Sequence, residues 1–460
     1  MVKSDSLNIR FRNPFAASVI CKSSNKISLV IYIVLASIIV DTFINQNIQV
    51  RNSVNITSGW SIALFASLAA IAVVGQYYIL RFVKLRSIEI IRKVKTLNIS
   101  FRITEITQYL LIAIFLFVAA DIIIFWHYPS ASLAIVTALS YGLNIGLMAI
   151  FAEIFFRWYV SNRSSIAILL YGLSFAVIVV TSCIFLTGSF YRFMEKPTYI
   201  YPYSTTGLPK AEPGSILNTL GKVYHYSDMV SFVSKWIATA FLLYHYSQKM
   251  GRTKYWILIS LPLVYFIGTY MDDFHLYEPH SESEEFYWQL YTTLNSTAGG
   301  ILFYIGFVAA ARHFHGDLGI KDYLLICGFG FLLFFSAGQS TLANGLYPPY
   351  GLATMSFYGL SSFLILVGLY ASAVSVSQDS NLRRLMMKLA TNEMNMLRSM
   401  GIAHRETELW RRVERLKYIV EGEEKELKER TGIQSSLDEK DLKDYVQEVL
   451  QEVGKTKGQK

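Results

Sequence analysis

Long apolar stretches recur along the chain, and shorter polar or charged segments separate them. A stretch of about 17 to 25 apolar residues is long enough for an α-helix to cross the hydrocarbon core of a bilayer. Lipid offers no hydrogen-bond partners to the backbone, so such segments cross as helices. The pattern predicts ten spans, at about residues 27–44, 60–80, 106–126, 132–156, 166–188, 229–246, 255–271, 287–311, 323–340 and 351–374.

The cationic residues sort the intervening segments into two groups. With ten spans, nineteen Lys and Arg lie before residue 375 in segments on the side of the N-terminus, and five lie on the opposite side. Lys and Arg accumulate in the cytoplasmic loops of membrane proteins. The chain is therefore predicted to be a multi-pass protein of the cell membrane with both termini in the cytoplasm.

The composition agrees with a protein that is dissolved in lipid. Hydrophobic residues make up 53% of the chain and charged residues only 16%, which excludes one large soluble core. The formal charge of +9 does not indicate nucleic acid binding, because the cations lie beside the apolar stretches. The expected fold class is all-α, a polytopic transmembrane helix bundle whose first partner is the lipid bilayer.

The composition changes at about residue 375, where a mixed-charge region without a further span begins. Apolar residues then recur at intervals of three and four, which is an imperfect heptad pattern. The expected organisation is a basic cytoplasmic segment, the bundle, a helical or coiled-coil-like stalk, and an amphipathic terminal helix with a basic end. The boundaries lie at residues 1–26, 27–374, 375–431 and 432–460.

Two partners follow from this tail. A heptad stalk predicts a homodimer, whose core would contain Leu382, Leu389 and Met396. Ser436 and Glu439 form a capping box that opens the terminal helix. The apolar face of that helix predicts a cytoplasmic protein partner.

Charged residues inside predicted spans are the main functional candidates, because each costs about 2.5–3.5 kcal/mol at the bilayer centre. Asp121 and Lys235 lie at similar depths, so one hypothesis is a buried ion pair that locks the bundle or senses a ligand. The alternatives are an ordinary structural pair and a Lys235 that extends to the interface. Asp41 lies near the outer end of the first span, and Glu153 has Arg157 one turn later as a predicted local partner.

The outer segment over residues 272–285 contains six carboxylates and two imidazoles. Clustered carboxylates bind hard cations, and histidine binds softer ones. The weak metal-ligand candidates are Asp272, Asp273, His275, Glu278 and His280. Their spacing matches no defined site, and a solvated acidic loop is the alternative.

Two further features have a structural and a functional interpretation. The outer segment over residues 189–228 is rich in Tyr and Pro, which predicts an interfacial aromatic belt, with a ligand lid as the alternative. His404 stands where a sensor kinase carries its phosphoacceptor histidine. The chain that follows is too short for an ATP-binding domain, so an exposed stalk histidine is predicted.

No catalytic activity is predicted. The sequence contains no GxxxxGK[ST], HExxH, GxSxG or kinase signature, and no motif that calls for a cofactor.

The segment from Thr341 to Arg384 and the terminal TGIQSSLDEKDLKDY are similar to uncharacterised archaeal multi-pass membrane proteins with a helical cytoplasmic tail. The resemblance implies no established activity and assigns no functional residue.

Two functional hypotheses remain. The leading one is a sensor or signal-relay protein that couples the outer loops to the cytoplasmic stalk. The competing one is a secondary transporter with a 5+5 helix arrangement. Only Pro262 among ten prolines falls within a predicted span, whereas transporter sites often use broken helices.

Overall fold

The computed structural model of the protein describes residues 14–46, 59–161, 163, 165–195, 198–201, 212–244, 251–268, 281–312, 318–338, 347–378, 399–413, 415 and 418. Two compact units contain Met1–His404 and Arg405–Lys460. The described part of the first unit is helical, apart from two short strands. In chain order its elements are α1 (Pro14–Gln46), α2 (Gly59–Lys93), α3 (Lys95–Phe125), β1 (Tyr128–Pro129), α4 (Ser130–Ser161), α5 (Ile166–Met194), β2 (Tyr199–Ile200), α6 (Ile216–Leu243), α7 (Arg252–Gly268), α8 (Glu282–Arg312), α9 (Leu318–Ala337) and α10 (Leu352–Gln378).

The prediction of an all-α, multi-pass membrane protein is confirmed. Within the described residues, seven helical segments are long and apolar enough to cross a membrane, and they belong to α1–α5, α9 and α10. Helices α6, α7 and α8 lie at the other three predicted positions. They do not meet the same criteria over the described residues, and α8 has a shorter apolar part, Thr297–Val308.

Helix α10 lies at the centre of the bundle. In its most apolar stretch 94% of the residues are buried, against 28% in the corresponding stretch of α3. It packs against α1, α2, α3, α4 and α9. Helix α3 therefore has a broad surface for lipid, whereas α10 is enclosed by protein.

The polar side chains of α10 have partners inside the bundle. The Ser356 hydroxyl accepts a hydrogen bond from Gln76 on α2, and the Ser356 carbonyl accepts one from Gln108 on α3 at 3.4 Å. Ser362 donates to the side-chain oxygen of Asn144 on α4 at 2.6 Å. Because a buried polar group without a partner costs roughly 1–3 kcal/mol, these bonds fix which face of α10 meets each neighbour.

Glycines bring α9 and α10 into close contact. A Cβ on Gly368 of α10 would lie 2.7 Å from the backbone nitrogen of Cys327, and one on Gly330 of α9 would lie 2.8 Å from that of Ile365. Small residues at helix interfaces let backbones approach closely in membranes. The α9–α10 contact therefore depends on the absence of two side chains.

Contacts between helix ends define two ends of the bundle. Near one end of the bundle, Tyr350 donates to the Ser61 carbonyl at 2.8 Å, and β1 pairs antiparallel with β2. At the other end, Arg86 of α2 forms a 2.8 Å ion pair with Asp322 of α9. We call the first end outer and the second inner.

Several predicted boundaries are wrong. The segment of residues 81–105, predicted as an inner loop, is helical, and only Val94 separates α2 from α3. Helix α6 begins at Ile216, nearly half of its length before the predicted span. Pro213 and Gly214 form the turn before it, and the Ser215 hydroxyl caps it by accepting from the Asn218 N–H at 3.2 Å. Caps and polar amphipathic turns extend these helices beyond their apolar cores, which a search for apolar stretches misses.

The Gly368→Ala substitution should destabilise the bundle by about 1–3 kcal/mol, because the new methyl group would overlap the backbone of α9. Thermal unfolding in one detergent measures the effect. The matched control is Gly146→Ala on α4, where nothing lies within 4 Å of the added Cβ. Equal unfolding temperatures for the two variants would contradict the close α9–α10 packing.

Candidate functional site along helix α10

A carboxylate on α1 holds the outer end of α10. Asp41 is 1% exposed, and its two oxygens accept hydrogen bonds from the backbone N–H groups of Gly351 and Thr354, each at 3.0 Å. The Thr354 hydroxyl also donates to Asp41, at 2.7 Å. The N-terminus of a helix has free N–H groups and a partial positive charge, so it stabilises a buried anion. Asp41, Gly351 and Thr354 form what we call the outer clamp.

The segment before α10 is also anchored within the protein. Tyr350 is 2% exposed, contacts Ser61 through its hydroxyl, and packs edge-on against Phe65 at 6.0 Å between ring centroids. Gly351 adopts a φ of 91°, which favours glycine. This conformation turns the chain into α10 and directs the Gly351 N–H toward Asp41.

A second polar site lies beside the middle of α10. A cavity of about 30 Å³ is lined by the polar residues Thr181 of α5, Tyr224 and Asp228 of α6, and Tyr358 of α10. Its apolar wall consists of Ile178, Phe266, Phe334, Phe335 and Gly338. We call this cavity the Asp228 site.

A buried cation lies close to the Asp228 site. Lys235 follows Asp228 by about two helical turns on α6 and is 1% exposed. Its ammonium nitrogen lies 4.6 Å from the ring centroid of Phe335 and 5.3 Å from that of Phe334. Asp228 interacts electrostatically with Lys235. Aromatic faces attract cations, so these rings and Asp228 together accommodate a charge inside the bundle.

A hydrogen-bonded chain connects the Asp228 site to α4. The Tyr358 hydroxyl hydrogen-bonds with Ser182 and Asn144, and Asn144 donates to Ser182 at 2.6 Å. Asn144 in turn accepts from Ser362 of α10. Tyr141 of α4 packs against Tyr358, with 4.7 Å between ring centroids. Any change at Tyr358 therefore affects α4, α5 and α10 together.

The inner end of α10 supports a third contact. His404 is 8% exposed, and its ring centroid lies 5.4 Å from that of Tyr370 on α10 and 6.1 Å from that of Trp158 on α4. A Cβ on Gly401 would lie 2.4 Å from a methyl group of Val376. The helical residues 399–404 thus dock onto the inner end of the bundle, and we call this contact the inner dock. The prediction of an exposed stalk histidine is wrong, because aromatic residues of the bundle cover it.

The intramembrane charges fall into different environments. No ion pair joins Asp121 to Lys235, both of which lie in the described part of the chain, so that proposed partnership is absent. Glu153 does form the expected pair with Arg157, but both side chains are more than half exposed. Such a pair contributes little to stability.

The five candidate metal ligands, Asp272, Asp273, His275, Glu278 and His280, lie outside the described residues. Among the residues that are described, no three His, Cys, Asp or Glu side chains are grouped as a metal site. The proposed divalent site stays a prediction.

In the second unit, residues 405–413 are helical, and Arg411 forms a 2.8 Å ion pair with Glu408. Partial burial raises the pKa of Glu406, and the charge of Arg405 opposes that shift. The heptad positions Leu382, Leu389 and Met396 and the terminal helix lie outside the described residues.

Sequence reasoning missed Asp228, Tyr224 and Tyr358 as parts of one site. It assigned Asp228 and Tyr224 to the outer loop and Tyr358 to an apolar span. One signal was present in the sequence. Asp228 and Lys235 are seven residues apart, so they lie on one face of a helix that begins before residue 228. The cross-helix partners Asn144 and Ser182 left no such signal.

Comparisons with the families of known proteins, with curated proteins and with solved structures gave no match. The resemblance to archaeal membrane proteins therefore stays a prediction.

The Asp41→Asn substitution should lower the free energy of unfolding by about 1–3 kcal/mol. The asparagine NH₂ group would face the Thr354 donors, which would leave buried donors without an acceptor. Thermal unfolding against Asp121→Asn, a half-buried carboxylate on α3, provides the comparison. An Asp41→Asn protein as stable as this control would show that the outer clamp contributes no stability.

Proposed function

We propose that this protein is a membrane sensor or signal-relay protein in which α10 carries a change from the outer side of the bundle to the cytoplasmic tail. One observation carries the proposal: α10 contributes a residue to each of the three contacts described above. Thr354 belongs to the outer clamp, Tyr358 to the Asp228 site, and Tyr370 to the inner dock. A displacement of α10 would alter all three.

The physical properties of α10 suit this role. Coupling between distant sites requires an element whose equilibrium both sites bias. Helix α10 is unbroken from Leu352 to Gln378, which is about 40 Å at 1.5 Å per residue. Residues 399–404 pack against the inner end of α10 through the ring of His404 and the close approach of Gly401 to Val376. A ligand that favours one position of α10 would then shift the population of docked tails.

The proposed arrangement in the membrane has ten spans and both termini in the cytoplasm. Helix α6 packs against α5, α8 packs against α9 and α1, and α7 packs against α6 and α8, which supports their crossing the bilayer. Phe232 of α6 stacks on Phe266 of α7 with 3.7 Å between ring centroids, and it contacts Phe303 of α8 edge-on. Within a bundle, protein neighbours replace lipid around helices that are less apolar.

The output side of the proposal consists of the stalk and its partners. A coiled-coil dimer over residues 375–431 and a cytoplasmic protein bound to the terminal helix would receive the change at the inner dock. The imperfect heptad favours such a switch, because a weak core allows two arrangements.

A secondary transporter is the second candidate, and the Asp228 site favours it. Charged residues at membrane depth mark ion and substrate pathways. Transport requires water to reach Asp228 from the two faces in turn. Cysteines placed at Thr181 and Ser231 would then react with hydrophilic thiol reagents from opposite sides, whereas a relay predicts access from one side only.

The relay predicts that a change at the outer clamp loosens the inner dock. In an Ala403→Cys protein that keeps only Cys327, Asp41→Asn should raise the rate of maleimide labelling at position 403 several-fold, because Ala403 is buried in the dock. Cys327, which is 0% exposed, should stay unlabelled and so show that the bundle is intact.

Asp121→Asn is the control for this experiment and should leave the labelling rate unchanged. Equal rates at position 403 in both variants, or parallel labelling of Cys327, would contradict coupling through α10.

The ten-span arrangement predicts that single cysteines at Glu212 and Thr253 lie on opposite sides of the membrane. Glu212 lies just before the first residue of α6, Thr253 lies at the start of α7, and both native residues are exposed. An impermeant maleimide applied to intact cells should label position 212, and position 253 only after permeabilisation. Labelling of both positions in intact cells would remove α6 from the set of spans and place the tail outside.

A further inference from the structure

We propose that the Asp228 site binds a small monovalent cation, for which sodium is the probe. When the site holds no cation, the ammonium group of Lys235 partly balances the charge of Asp228. This inference goes beyond the relay, since binding of a cation does not require α10 to move. It rests on the oxygen atoms, the volume and the charges of the cavity.

The cavity presents oxygen atoms, which hard cations prefer. Asp228 supplies a carboxylate, and Tyr224 and Tyr358 supply hydroxyl oxygens. The Thr181 hydroxyl donates its hydrogen to the Val177 carbonyl at 2.9 Å, which leaves its lone pairs available to the cavity. Four side chains from three helices thus offer acceptor oxygens around one small space.

The volume limits the size of the ligand. A water molecule needs at least about 10–15 Å³ of such space, so 30 Å³ holds at most about two. A sodium ion that has lost most of its water fits this space, and choline does not. The phenyl rings of Phe334 and Phe335 complete a wall that attracts cations.

The charges select a monovalent ion. Asp228 and Lys235 are the charged groups that face the site, and Tyr141, Tyr224 and Tyr358 are the other titratable groups that interact with it. The described lining residues from α5, α7 and α9 are uncharged. One carboxylate cannot balance a divalent ion in a low-dielectric interior beside an ammonium group. A monovalent ion adds one charge beside Asp228, whose carboxylate already interacts electrostatically with the ammonium group of Lys235.

A second cavity adjoins the Asp228 site on its outer side. It has about 130 Å³, lies between α5 and α6, and is lined by Gly188, Ser189, Arg192, Leu217 and Tyr224, among others. Tyr224 lines both cavities, so its side chain stands between the outer cavity and the Asp228 site.

The test measures sodium binding to the purified full-length protein in lipid nanodiscs. One measurement is a scintillation proximity assay with ²²Na⁺, and the other compares the unfolding temperature in NaCl with that in choline chloride. We expect saturable binding and a sodium-specific rise in unfolding temperature. Asp228→Asn should weaken binding by more than the roughly tenfold that loss of an outer-shell partner causes. Lys235→Met should make binding tighter, because it removes the cation that interacts with Asp228.

Asp121→Asn is the matched control and should bind sodium like the unmodified protein. If Asp228→Asn fails to fold, Tyr358→Phe removes one ligand oxygen and should still weaken binding. Equal effects of sodium and choline, or unchanged sodium binding in Asp228→Asn and in Tyr358→Phe, would overturn the proposal. Sodium binding that leaves the Ala403→Cys labelling rate unchanged would uphold the cation site, and the relay is tested separately by Asp41→Asn.

Discussion

The polar groups of α10 must be satisfied inside the protein, because neither water nor lipid surrounds this helix. Its first N–H groups bond to Asp41 on α1, and its serine and tyrosine hydroxyls bond to Gln76, Asn144 and Ser182 on three other helices. Each partner fixes a distance and a rotation of α10 relative to a neighbour. The positions of the surrounding helices therefore depend on one set of buried hydrogen bonds, and apolar contacts fill the space between them.

The three contacts along α10 differ in what would disturb them. The outer clamp combines a charge with a helix terminus and has no space for a ligand. The Asp228 site has a cavity lined by a carboxylate and several hydroxyls, with the ammonium group of Lys235 nearby. The inner dock packs the ring of His404 against Tyr370 and Trp158 and brings Gly401 close to Val376. The contacts along α10 therefore differ in chemistry from one end of the helix to the other.

The sequence predicted the helical class and the positions of the helices, because lipid imposes a minimum length and an apolar composition on any span. It also predicted the local pair of Glu153 and Arg157, whose spacing is set by the helix itself. It did not predict that Asp41 caps α10, since 310 residues separate Asp41 from Gly351. The Asp228 site escaped for a related reason. Polar turns extend α6 beyond its apolar core, so Asp228 was assigned to a loop. The partners Asn144, Ser182 and Tyr358 lie on other helices, and the periodicity of a sequence does not show which helices are neighbours.

The central position of α10 also has a consequence for the order in which the protein assembles. Ribosomes deliver the chain from its N-terminus, so α1 to α9 are made before the helix that fills their centre. Asp41, Gln76, Gln108 and Asn144 therefore lack their partners on α10 until the end of this sequence. Pairs such as α4 with α5 and α8 with α9 have contacts of their own that do not depend on α10. The centre of this bundle is therefore completed last.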